Sequence, residues 1–260
     1  MRSWLSLVTV LCLLGASPLR AEDLAAVCHA TSSYDLTLRA DGVLFDRPSP
    51  TPTRVELQHG SLRTDGVAVV LDAEQQDRMT LFERDLRALV PRVRTVARNG
   101  VDMAGQALRA EAAELGLSAD TRSELDRRLN THAAELKRRI ASSQSTHDWQ
   151  GDSIEQYANQ VIGDLMPLVA ADLGQQAVNA ALAGDLQAAA SLHDRASSLA
   201  TDLQPRLQQR MQALRPQIEA LCPAIQRLAR LQEGVRDNRG QALQLLKVSR
   251  QVLSEPAGPG

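Results

Sequence analysis

Residues 65–82 read Asp-Gly-Val-Ala-Val-Val-Leu-Asp-Ala-Glu-Gln-Gln-Asp-Arg-Met-Thr-Leu-Phe, and the hydrophobic period changes inside them. Up to Leu71 the residues are β-branched or aliphatic and follow a Gly turn, which is strand chemistry. From Asp72 on, the apolar positions are Met79, Phe82, Leu86, Leu89, Val93 and Val96. That three-or-four spacing is one face of a helix. Asp72 followed by Gln75 is a capping-box pattern, in which the carboxylate takes a first-turn N–H and the amide reaches back to the cap. The junction therefore divides a sheet from a helical region and makes the chain α+β, mostly helical.

Toward the N-terminus the period of two continues. Tyr34, Leu36 and Leu38 alternate with polar neighbours, Asp41-Gly42 offers positive φ for a tight hairpin, and Val43–Asp46 is the return strand. Pro48, Pro50 and Pro52 make residues 47–53 an extended loop. Val55 and Leu57 alternate again, Gly60 and Asp65-Gly66 mark two further turns, and 67–71 is the last and most apolar strand. The expectation is a small antiparallel meander over residues 22–71.

Toward the C-terminus, residues 72–253 read as an elongated, kinked helical bundle. Pro91 should kink the first helix and Asn99-Gly100 should end it. A second helix carries Val101, Leu108 and Leu115 and stops at Gly116. Ser118 caps a third, with Leu125, Leu129, Leu136 and Ile140 on one face. After a polar link, Asp152 or Ser153 caps a fourth helix running to Gly184, with Pro167 inside it. From Leu192 to Leu228 apolar residues follow spacings of four and three, a coiled-coil-like seam. Pro205, Pro216 and Pro223 fall off that seam, so the expectation is one long helix of roughly 55 Å at 1.5 Å per residue. Residues 237–253 should add a last helix, and 254–260 a disordered Pro/Gly tail.

The first 21 residues carry Arg2, an apolar run from Trp4 to Leu14 and a small-residue exit ending at Ala21. That is the grammar of a cleaved signal peptide, and the run is shorter than the ~20 apolar residues a membrane span needs. Cys12 leaves with the leader and is preceded by Leu11, not the small residue of a lipoprotein site. Cys28 and Cys222 remain in an oxidising compartment, where they are expected to pair. The expected address is the periplasm.

The net charge of -2 moves to about -4 when Arg2 and Arg20 leave, and aromatics are 2%. Neither a basic face nor a stacking platform is available, so nucleic acid is excluded as a partner. His29, His59, His132, His147 and His193 show no metal-ligand spacing, and no cofactor is implied. One polar knot stands out: His147-Asp148 with Asp152 nearby. An imidazole beside carboxylates can serve as a general base or a metal site; a solvated link between helices has the same composition. No residue is assigned a catalytic role.

Val69, Leu71, Gln75 and Gln76, followed by Leu86, Arg87, Val90 and Pro91 on a long Arg-rich helix, together with an early and a late cysteine, give the chain its layout. In that layout it resembles the YggN-like periplasmic proteins of Gram-negative bacteria. The resemblance implies a periplasmic address and a shared fold over nearly the whole mature chain, and no activity.

Long amphipathic helices without a convergent catalytic set point to a non-enzymatic envelope protein: a protein-binding, scaffold or chaperone-like module. The alternative is a hydrolase or metal-dependent enzyme around His147 and Asp148. A third reading is membrane-surface association through residues 161–183. The seam over 192–228 would also fit a second copy of the chain.

Overall fold

The computed structural model describes residues 26–149 and 152–249. The expected leader (1–21) and the expected tail (254–260) lie outside the described residues. Strand β1 (Ala30–Thr31) is followed by β2 (Asp35–Leu38), β3 (Val43–Asp46), β4 (Arg54–Gln58), β5 (Ser61–Thr64) and β6 (Val67–Ala68). Then come α1 (Ala73–Glu114), α2 (Ala119–Ser142), a 3-10 turn (Thr146–Trp149), α3 (Asp152–Leu182) and α4 (Leu186–Met211). A second 3-10 turn (Gln212–Leu214), α5 (Arg215–Glu219), α6 (Cys222–Leu231) and β7 (Lys247–Val248) complete the chain. The fold is α+β and mostly helical, with the sheet at the N-terminal side, as the sequence implies.

β2 to β6 form one antiparallel meander in sequence order. Its β4–β5 and β5–β6 turns are two-residue hairpins, with His59-Gly60 (φ 49° and 80°) and Asp65-Gly66 (φ 48° and 81°) at positive φ, the backbone a type I′ turn requires. The expectation for Asp41-Gly42 needs correction. Neither residue has positive φ; residues 39–42 form a wider loop closed by the Arg39 N–H donating to the Gly42 carbonyl at 2.9 Å. Gly42 is needed for close approach instead, since a Cβ there would sit 2.5 Å from the Leu57 carbonyl oxygen. The stretch 67–71, expected as the last strand, is a strand only over Val67–Ala68. β6 is short, lies at the sheet edge and leaves Val67 and Val70 exposed.

The capping box forms as read: Asp72 accepts from the Gln75 N–H at 2.8 Å, and the Asp72 N–H donates to the Gln75 side chain. α1 then runs for 42 residues, through Pro91 and through Asn99-Gly100. Gly100 is not a break. It is a notch in the helix surface, where Leu214 Cδ1 would lie 3.2 Å from an added Cβ. Tertiary packing offsets the helix cost of one glycine, about 1 kcal/mol.

The long C-terminal seam does not form one helix. Pro216 and Pro223 each sit in the first turn of a new short helix, α5 and α6, where a missing N–H costs nothing. Only Pro205 stays inside a helix, α4. Residues 237–249 are not helical either. The chain turns back through an Arg236–Ala242 bridge and ends in β7, paired antiparallel with β1. Gln232 holds this segment, its side chain accepting from the Leu245 and Leu246 N–H groups and donating to the Leu246 carbonyl.

Two apolar cores result. In the first, Val43, Phe45, Val55 and Leu57 of the sheet pack on Met79 and Phe82 of α1 and on α6. Burying each such side chain contributes ~1.5–3 kcal/mol. The second joins Ala112 near the end of α1, Leu125 and Leu129 of α2, and Leu165, Val169 and Leu173 of α3.

Candidate functional site

Cys28 and Cys222 are joined by a disulfide with Cα atoms 5.1 Å apart. The bridge ties the chain's lead-in to the N-terminus of α6, against the first core. Its place beside Leu221, at the flank of an apolar stripe, matches the expected pairing.

The polar knot divides. His147 Nδ1 lies 3.7 Å from Asp35 Oδ2 on β2, with the imidazole largely exposed. Asp148 Oδ2 accepts from Ser143 Oγ at 3.1 Å and from the Ser145 N–H at 3.3 Å, the pattern of a turn-closing carboxylate. The side chain of Asp152 lies outside the described residues. What the link does is visible in its backbone. Ser145 bridges Thr37, the Leu38 N–H donates to the Gln144 carbonyl at 2.8 Å, and the Leu36 N–H donates to Thr146 Oγ1. The segment therefore lies along β2 and covers that edge of the sheet.

A second polar cluster joins α2 to α3, and no local spacing in the sequence announces it. Asp164 Oδ2 lies 2.9 Å from His132 Nε2, and Asp164 Oδ1 accepts from Arg128 at 2.8 Å. The hydrogen bond from His132, then Arg128, holds the Asp164 carboxyl below its usual range. Glu124, bonded by Arg127 and then Arg128, is pulled down to about 2. Tyr157 donates to the His132 carbonyl, and Arg139 lies over its ring at 4.8 Å; burial pushes the phenol up. A third cluster clamps α4 to α1, with Arg206 and Arg210 reaching the largely buried carboxylate of Glu111. The carboxylates of Asp164 and Glu111 join helices, while Glu124 pairs with arginines of its own helix.

Past Gln176, which bonds the Gly116 carbonyl, α3 and α4 continue as a two-helix arm. Gly184 (φ 82°) turns it and Asp185 caps α4 through the Ala188 N–H. The arm exposes Val178, Leu182 and Leu186; Leu182 is 83% and Leu186 72% exposed. These lie in or beside the apolar stretch 161–183. Sequence could mark the stretch but not which side faced out, because Leu165, Val169 and Leu173 of the same helix are core.

Among the described residues no group of three or more His, Cys, Asp or Glu is placed to hold a metal ion. No helix of the described residues is long and apolar enough to cross a membrane.

The family model described as "Protein of unknown function (DUF2884)" matches residues 28–246, and the chain belongs to that family. Comparison with curated proteins and with solved structures finds no match.

Proposed function

We propose that the chain is an exported, periplasmic, non-enzymatic protein that binds another polypeptide through the α3–α4 arm. The observation that carries this reading is the arm's exposed apolar tip. A helical hairpin in water gains nothing by leaving Val178, Leu182 and Leu186 uncovered, and clustered exposed apolar side chains mark interaction sites. The neighbouring Asp185 caps α4 through the Ala188 N–H, and beside it the tip presents apolar surface. The ion clusters support the same reading, since Asp164 and Glu111 spend their carboxylates on joining helices. Export is supported by the leader's grammar and by the cysteine pair.

The test places a photo-crosslinking residue at 182 or 186 in intact cells, with the exposed position 138 on α2 as control. A discrete protein adduct from the arm positions and not from 138 is expected. The same adducts from all three positions, or none from the arm, would overturn the binding reading. Recovery of the protein from the periplasmic fraction with residue 22 as its N-terminus is expected for the address; an intact Met1 in the cytoplasm would overturn it.

A further inference from the structure

We draw no further inference here: the strongest candidate, the exposed edge of the meander at β6 and the residues after it, where Val67 is 52% and Val70 97% exposed, is a two-residue strand, and nothing among the described residues shows what covers it.

Discussion

Glu83 lies on α1 with its side chain only 9% exposed and 3.0 Å from the Arg87 guanidinium. Its other oxygen accepts from the His59 N–H at 2.9 Å, at the positive-φ corner of the β4–β5 hairpin, while Arg87 also donates to the Gly42 carbonyl at 2.8 Å. One helical turn thus fastens two loops of the sheet. Glu83→Ala should cost ~1–3 kcal/mol, because it removes the acceptor of a partly buried backbone donor and half of an ion pair. Arg87→Ala, at a side chain one-third exposed, should cost less. Urea denaturation of the two variants checks the order, and equal costs below about 0.5 kcal/mol would refute the fastening role. Arg87 was visible in the sequence as one of the residues carrying the family layout. Its partners were not, because Gly42 is 45 residues away and hydrophobic periodicity carries no record of what a charged side chain meets.

At the scale of elements, local signals held where the local term was large. The capping box, the Ser118 cap and the hairpin turns at Gly60 and Asp65-Gly66 formed where the sequence put them, and the Asp41-Gly42 turn did not. Asn99-Gly100 and the seam failed for opposite reasons. The helix kept Gly100 because Leu214 packs into the space a side chain would fill. The seam broke because Pro216 and Pro223 serve as helix starts, a role that apolar spacing does not reveal. Docking of α3 on α2 shows what spacing also misses, since it depends on Asp164 meeting His132 and Arg128. Both Asp164 and Glu124 have carboxyls held below the usual range in the fold. A depressed folded pKa stabilises above the unfolded value, near 4, and that stabilisation is lost as pH falls through the folded value. The difference in urea midpoint between wild type and Asp164→Asn should therefore be present at pH 5 and narrow as pH falls below about 4. A gap unchanged down to pH 2 would show that the ion cluster contributes nothing to docking.

Across the whole molecule, α1 is the common member of both cores: its N-terminal half lies under the sheet and its C-terminal end against α2 and α3. At 42 residues it spans about 60 Å. The C-terminal segment returns from α6 to pair β7 with β1 and close the first core. That return was illegible in the sequence, because two-residue strands carry no period and residues 237–249 are held by turns and by the Gln232 side chain. The arm's exposed tip was half legible: the apolar stretch could be seen, its outward face could not. The disulfide was legible as the pairing of Cys28 with Cys222, the two cysteines left once Cys12 is assigned to an expected leader. It spans 194 residues of sequence and belongs to the first core alone. In the chain-entropy account the bridge acts on the unfolded ensemble, so Cys28→Ser and Cys222→Ser should each destabilise by ~2–5 kcal/mol, and by the same amount. The double variant should cost little more than either single one, because the two sulfurs act as a unit. Hydrogen exchange should locate the loss as well as size it. Amides around Met79 and Leu228, packed in the bridged core, should lose protection before those around Leu129 and Leu173, which lie in the other. Unequal single variants, two titratable thiols in the unreduced mature protein, or simultaneous loss in both cores would each contradict this picture of one staple serving one core.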